Sequence, residues 1–186
     1  MKKIIIAAIF IFSFIFTSCS FIFFTKKDNR PYEICPEEIR QKAYEYAVEY
    51  KALDTEYEWG GQDPLPRTIK LDCSGLVVRC YQYALEDTEY ELPFYDASST
   101  AMYTDYSYKI DNPKQGDLIF LGELETEKVT HIGIFDRIEN GKYYFIDCSN
   151  LPDINKVSER CYSYNPKESL DNQKIKGFGI MYVVRK

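Results

Sequence analysis

The segment LDCSGLV, residues 71–77, places a cysteine just before a stretch of apolar residues with helical spacing. At the start of a helix, unpaired backbone N–H groups lower a thiol pKa and can bind the oxyanion formed when a thiolate attacks a carbonyl. Cys73 is therefore a candidate nucleophile. A buried thiol behind a helix cap, with Asp72 or Ser74 as the cap, explains this segment alone equally well.

A cysteine hydrolase also needs a base and a group that orients it. His131 is the one histidine of the sequence, in the predicted strand VTHIGIFDRI (129–138). Strand alternation sends His131, Gly133 and Phe135 to the same face. A strand histidine is more often a core or edge residue than a base, but this chain offers no other imidazole. The next strand, KYYFIDCS (142–149), supplies Asp147 as an orienting carboxylate.

The elements that must position these residues fall into two halves. The first half predicts helices over residues 35–53 and about 74–85, with a loop over 56–70 and a short third helix capped by Asp96. From residue 113 the pattern changes to strands, with a Glu139-Asn140-Gly141 turn between two of them and a last strand over 177–186. Helices followed by a mostly antiparallel sheet predict an α+β fold.

Composition narrows the classes of function. The chain has 186 residues, which suits one domain, and its net charge of -6 with no basic stripe argues against a nucleic-acid partner. With one histidine and no CxxC pair, we predict no metal site and no cofactor.

The N-terminus carries a targeting signal. MKK precedes a long apolar run, and FTSC (16–19) resembles the lipobox of bacterial lipoproteins. We therefore expect a signal peptide at 1–18, lipidation of Cys19, a tether at 19–34 and a domain at 35–186. The alternative is an uncleaved anchor over 4–24. Both place the domain outside the cytoplasm, where one or two disulfides become plausible without a defined pairing among Cys35, Cys80, Cys148 and Cys161.

Four motifs carry a family resemblance: YEWGG (57–61), LDCSGLV (71–77), QGDLIFLG (115–122) and VTHIGIF (129–135). Together they resemble the NlpC-type cell-wall cysteine peptidases, bacterial relatives of papain, over about residues 40–183. The resemblance implies a papain-like NlpC-type fold, with the nucleophile helix packed on the sheet that bears the histidine. It implies Cys73 as nucleophile and His131 as general base.

The resemblance also suggests the groups around this pair. Tyr57 matches a tyrosine that lines the site, and Asp72 and Ser74 match residues that help hold the free amino end of a stem peptide. The family's third polar residue is often His and sometimes Asn or Gln, so Asp147 departs from the pattern, although a carboxylate can orient imidazole. Ser149 shares the face of Asp147 whatever the register.

The expected function is a membrane-anchored endopeptidase of the cell envelope that cuts peptidoglycan stem peptides, at the bond between γ-D-glutamate and the diamino acid. The alternatives are cleavage of another amide, such as the muramoyl–alanine bond, and a surface-binding lipoprotein without turnover. We expect a monomer whose partners are stem peptides and, through its N-terminus, the membrane.

Overall fold

Helices packed on one face of a mostly antiparallel sheet form the frame of the protein. The computed structural model describes residues 28–62, 70–163 and 172–186. Its helices are α1 (Glu37–Ala52), α2 (Cys73–Leu85) and α3 (Ser99–Thr104). Its strands are β1 (Glu33–Ile34), β2 (Glu56–Tyr57), β3 (Lys70–Leu71), β4 (Tyr90–Glu91), β5 (Ser107–Ile110), β6 (Leu118–Glu123), β7 (His131–Glu139), β8 (Lys142–Leu151), β9 (Ile154–Ser163) and β10 (Gln173–Arg185).

The strands lie in the order β1-β10-β6-β7-β8-β9-β2-β3, and β4 and β5 also pair with β10. The β2–β3 pair is parallel, and the long neighbours β6, β7, β8, β9 and β10 are antiparallel. The α+β prediction is confirmed.

The sheet buries side chains on both faces. One face packs against α1 and α2 through Phe120, Ile132, Ile134, Ile146 and other apolar residues. The opposite face carries a smaller cluster, which consists of Ile119, Leu121, Phe135, Phe145, Tyr162 and Phe178. Because side chains alternate along a strand, β7 and β8 present the candidate site residues on the face of the smaller cluster.

A buried ion pair fixes α1 on the sheet. Arg40 of α1 contacts the carboxylate of Asp117, which immediately precedes β6, and both side chains are almost fully buried. Gly116 has φ +91°, and a Cβ there would lie 2.3 Å from the carbonyl oxygen of Arg40. The QGDLIFLG segment therefore docks the first helix, which an apolar stripe alone did not predict.

The turn between β7 and β8 sets the register of the strands that carry the candidate base. Asn140 and Gly141 have φ values of +51° and +73°, and Glu139 pairs with Lys142. Two left-handed residues between paired strands are typical of a tight hairpin whose twist matches the sheet. The predicted hairpin is confirmed, and its register places Phe135 opposite Phe145.

Three features differ from the sequence-based expectations. Strand β9 was not predicted, because its solvent-facing positions are charged and its apolar alternation is weak. The third helix is capped by Ser98, whose hydroxyl accepts from the Ala101 N–H at 3.2 Å, and not by Asp96. The cysteines of the described residues, where disulfides were plausible, are all free.

The described part of the chain before residue 35 packs against the domain. Glu33 and Ile34 pair with β10, and Tyr32 packs against Tyr106 and Tyr182. The signal peptide, the alternative anchor and Cys19 lie outside the described residues. Within 28–62, 70–163 and 172–186, no helix has the length and apolarity needed to cross a membrane.

Candidate active site

The N-terminus of α2 is held by Asp72, and Cys73 is the first residue of the helix. Oδ1 of Asp72 accepts from the Gly75 N–H at 2.7 Å and from the Ser74 hydroxyl at 2.8 Å. Oδ2 accepts from the Gly60 N–H at 3.0 Å. Asp72 is therefore the helix cap, and it also ties the helix start to the loop that follows β2.

Two glycines let this loop approach the helix. A Cβ on Gly75 would lie 2.2 Å from the carbonyl oxygen of Gly61, and a Cβ on Gly61 would lie 2.6 Å from the carbonyl oxygen of Lys70. The Asp72 N–H donates to that same Gly61 oxygen at 3.2 Å. This close approach brings the YEWGG loop, with Tyr57 and Trp59, beside Cys73.

We expect Gly75→Ala to displace the start of α2, because the new methyl group would meet backbone that cannot rotate away. The free energy of unfolding should fall by about 1–3 kcal/mol. The hydrolase activity proposed below should fall as well, since Cys73 moves with the helix start. Denaturant unfolding and an activity assay on the same sample check this. Unchanged stability and activity would contradict the close approach.

His131 begins β7 and meets Asp147 from β8. Nε2 of His131 contacts Oδ2 of Asp147, and the hydroxyl of Ser149 donates to the same oxygen at 2.8 Å. The register keeps a glycine opposite this pair: a Cβ on Gly133 would lie 3.2 Å from the Cβ of Asp147. The structure thus brings together His131, Asp147 and Ser149, as the strand alternation predicted.

The remaining nitrogen of the imidazole serves Cys73. Nε2 of His131 is directed at Asp147, and Cys73 lies close enough to the same ring to raise the pKa of His131. We therefore place Nδ1 on the side of the sulfur. Cys73 and His131 each begin their element, so the two side chains meet where the helix and the strand start.

The charges of this cluster stabilise one another. Burial lowers the pKa of His131, but the negative charges of Cys73 and Asp147 and their hydrogen bonds outweigh it, so that the pKa lies well above its usual range. Burial raises the pKa of Asp147, but Arg160 and His131 outweigh it and lower the pKa to about 2. Both shifts favour an imidazolium beside the Asp147 carboxylate.

Arg160 of β9 completes the cluster and was not predicted. Its Nε donates to both carboxylate oxygens of Asp147 at 3.0 Å. It lies opposite Phe145 in the β8–β9 register, on the face that carries Asp147. Sequence reasoning missed Arg160 because β9 itself was not predicted. In addition, an arginine among charged neighbours usually indicates a solvent-facing position.

A groove of about 280 Å³ opens beside Cys73. Tyr57, Asp72 and Ser74 line it, and so do the exposed Trp59 and Asp96 and the half-buried Thr130. Burial, together with the nearby charges of Cys73 and Asp72, raises the pKa of Tyr57, which keeps its hydroxyl protonated. All three residues predicted to bind substrate therefore line this groove.

The other cysteines are placed differently. Cys148 donates its thiol to the Leu71 carbonyl at 3.1 Å, and burial raises its pKa. Burial also raises the pKa of Cys80 and of Cys35, whereas Cys161 is exposed on β9. Among the described residues, no three His, Cys, Asp or Glu side chains lie together as metal ligands would.

A model of the NlpC/P60 family matches residues 54–167, which is more than half of the chain. The chain belongs to the NlpC/P60 family. No curated protein matched the sequence. Among solved structures, this NlpC/P60 domain is similar to a protein of Staphylococcus aureus described as similar to lipoprotein, NLP/P60 family, with 24% identity and a TM-score of 0.50. That match covers 81% of this chain and 43% of the staphylococcal one, so the chain spans less than half the length of that protein.

The NlpC/P60 domain is also similar to an N-acetylmuramoyl-L-alanine amidase of Bacteroides uniformis. The identity is 12%, the TM-score is 0.41, and the match covers 78% of this chain and 100% of the amidase. The family match confirms the resemblance seen in the four sequence motifs. Two of them, YEWGG and LDCSGLV, contribute residues to the groove, and VTHIGIF contributes His131.

The pKa of His131 offers a direct test of the cluster, because the chain has one histidine and gives one imidazole signal. In a protein without a histidine tag, we expect that signal to titrate well above pH 6.5. Cys73→Ala removes a negative charge that favours imidazolium, so the midpoint should fall by at least about one pH unit. Proton–carbon NMR over pH 5–10 measures both. Equal midpoints in the two proteins would contradict the contact.

Proposed function

We propose that this protein is a cysteine hydrolase that cuts an amide bond in the peptide part of peptidoglycan. The observation that carries the proposal is the buried contact of His131 Nε2 with Asp147, with Cys73 beside the same ring and in the lining of a groove. Nucleophile, base and orienting carboxylate are the parts that acyl transfer needs. Membership of the NlpC/P60 family supports a hydrolase of this substrate class.

The proposed reaction runs through a thioester. The Cys73 thiolate attacks the amide carbonyl, and the N–H groups at the start of α2, which lack intrahelical acceptors, stabilise the oxyanion. His131, as imidazolium, gives its proton to the leaving amine when the C–N bond breaks. Neutral His131 then takes a proton from water, whose oxygen attacks the thioester. The C–S bond breaks, the carboxylic acid product leaves, and the sulfur departs as a thiolate beside the imidazolium, which restores the starting state. Asp147 keeps the ring oriented and favours its cationic form.

The groove fits a substrate with a free amino group. Asp72 and Asp96 line it with carboxylates, and Ser74, Ser98 and Thr130 line it with hydroxyl groups. An ammonium group is stabilised by such oxygens. A peptidoglycan stem peptide with a free amino end carries this group, and we therefore propose cleavage at the bond between γ-D-glutamate and the diamino acid.

We further propose that the protein acts in the cell envelope, held to the membrane through its N-terminus. The charged start, the apolar run and Ser18-Cys19 support a lipid on Cys19. Inhibition of lipoprotein processing in intact cells should change the electrophoretic mobility of the protein, and Cys19→Ala should abolish that change. An electrophoretic mobility that neither the inhibitor nor the substitution changes would favour the uncleaved anchor over residues 4–24.

Digestion of purified sacculi tests the proposed reaction. The protein is incubated with untreated sacculi and, in parallel, with sacculi whose stem peptides an amidase has released from muramic acid, so that these peptides carry free amino ends. The fragments are identified by mass spectrometry. New amino ends on the diamino acid support the endopeptidase, whereas free lactyl groups and amino-terminal alanine appearing in the untreated sacculi would identify an amidase instead. Sacculus binding without any product over pH 5–9 would contradict a hydrolase for this substrate.

A further inference from the structure

Asp147 is a fully buried carboxylate, so its charge must be balanced inside the fold. Its side chain has an exposed fraction of 0%, and a buried ion without a partner is costly. Ser149 donates to Oδ2, and His131 contacts the same oxygen. Serine is neutral, and imidazole loses its charge during the proposed reaction. Neither group can keep Asp147 ionised throughout a catalytic cycle.

Arg160 supplies a permanent positive charge at this position. Its Nε lies 3.0 Å from each carboxylate oxygen, and its Nη2 also contacts Oδ2. This planar, multi-point contact fixes the rotation of the carboxylate as well as its charge.

The guanidinium is itself held in place. The side chain of Arg160 is 8% exposed. Its Cζ lies 5.4 Å and 5.5 Å from the ring centroids of Phe145 and Tyr162, and Nη1 donates to the Tyr162 hydroxyl at 3.2 Å. The arginine therefore has little freedom to leave Asp147.

Three of these groups form a row of alternating charge. From β7 to β9 the order is imidazolium of His131, carboxylate of Asp147 and guanidinium of Arg160, and Cys73 of α2 lies beside the imidazole. Nη2 of Arg160 also lies 3.2 Å from Nε2 of His131, so the guanidinium reaches the edge of the ring without touching the groove-lining residues named above.

We infer that Arg160 is a positioning residue, which holds the Asp147 carboxylate ionised and aimed at Nε2 of His131. The inference rests on the proposed function, since it deepens the role of the same site. Arg160 has no part in bond making. It acts through Asp147, and it stabilises the negative charge of this aspartate at a buried position.

The pH dependence of the cluster involves groups from every element packed around Asp147. These groups are Cys73 of α2, His131 of β7, Cys148 of β8, and Arg160 and Tyr162 of β9; Asp72 and Tyr57 lie beyond Cys73. Loss of a positive charge next to a carboxyl raises its pKa, and burial raises it further. Without Arg160, Asp147 should take up a proton at a higher pH and cease to favour imidazolium.

Arg160→Met therefore has two expected results. The value of kcat/KM on sacculus fragments should fall about 100-fold, as for a misplaced catalytic group, and the acid limb of its pH profile should move to higher pH. The NMR signal of His131 should show an added step at the pH where Asp147 is protonated. Arg137→Met is the matched control, because Arg137 of β7 lies over the ring of Tyr144 on β8 and pairs with Asp136, not with Asp147. It should change neither result.

Two more variants keep the test decisive if Arg160→Met fails to fold. Arg160→Lys keeps the charge but not the planar fork, so we expect a loss of about tenfold with a smaller shift of the acid limb. The double variant Asp147→Asn/Arg160→Met removes both charges, and it should be no less active than Asp147→Asn alone. If the arginine variants show the same pH profile and the same His131 titration as the wild type, the inference is overturned.

The NMR titration needs no substrate, so the inference and the proposed function can fail separately. An inactive wild-type protein whose His131 signal still responds to Arg160→Met would contradict the function and support the cluster. An active wild-type protein whose His131 signal does not respond to Arg160→Met would support the function and contradict the inference.

Discussion

Replacing Cys73 by alanine is expected to abolish cleavage of sacculi, with kcat/KM lower by a factor on the order of 10⁵. No other group can take over the attack: Cys148 is buried and donates to the Leu71 carbonyl, and water would lack the intermediate that splits the reaction into two easier steps. The variant should fold as well as wild type, since Cys73 sits half-buried at a helix start that Asp72 caps. Fragment release measured by mass spectrometry, with thermal unfolding alongside, checks both statements.

The matched control is Cys161→Ala, which removes an exposed thiol on β9. It should cleave at the wild-type rate. Iodoacetamide gives a second readout: alkylation of Cys73 should inactivate the wild type, while the Cys73→Ala variant should still bind sacculi. Residual activity in Cys73→Ala within tenfold of wild type would rule out covalent catalysis by this cysteine.

Asp147→Asn is expected to have the largest effect on stability, lowering the free energy of unfolding by about 3 kcal/mol. The substitution keeps the shape but removes the carboxylate that balances the buried guanidinium of Arg160. The proposed activity should fall by roughly 10²- to 10⁴-fold, because His131 loses both its orienting partner and the charge that favours its cation.

The pH dependence of this stability difference has a definite sign. The pKa of Asp147 is lowered to about 2 in the folded protein, so its contribution is present above the ordinary carboxyl pKa of about 4. It is lost progressively as the pH falls below about 4 and through the folded value. Urea unfolding at pH 7 and pH 3 should therefore show a smaller difference between wild type and variant in acid. Asp153→Asn, in the exposed turn between β8 and β9, is the control and should match wild type.

The motifs and the alternation of the sequence predicted the pair at the centre of the site. Cys73 precedes a helical pattern that α2 confirms, and the tight turn at Asn140-Gly141 fixes the strands that carry His131 and Asp147. These features are local: a cap, a turn and a two-residue period depend on neighbours in the chain. For that reason they can be read without the fold, and the family match agrees with them.

Contacts between distant segments were out of reach of this reasoning. Arg40 lies on α1, and its burial against Asp117 was not among the sequence-based expectations. Arg160 was hidden for the same reason: a charged side chain is buried only when a partner from another strand balances it, and a sequence does not show that partner. Asp96, expected as a helix cap, lines the groove instead, because α3 begins after Ser98.

The sequence by itself determined the α+β class, the family, and the cysteine and histidine that stand at the starts of a helix and a strand. Only the tertiary structure decided what surrounds Asp147. The pairing of β8 with β9 sets Arg160 against the carboxylate, and the approach of Gly61 to Gly75 sets the groove beside Cys73. Both depend on the register between two backbone segments, which the periodicity within one strand or one helix does not encode.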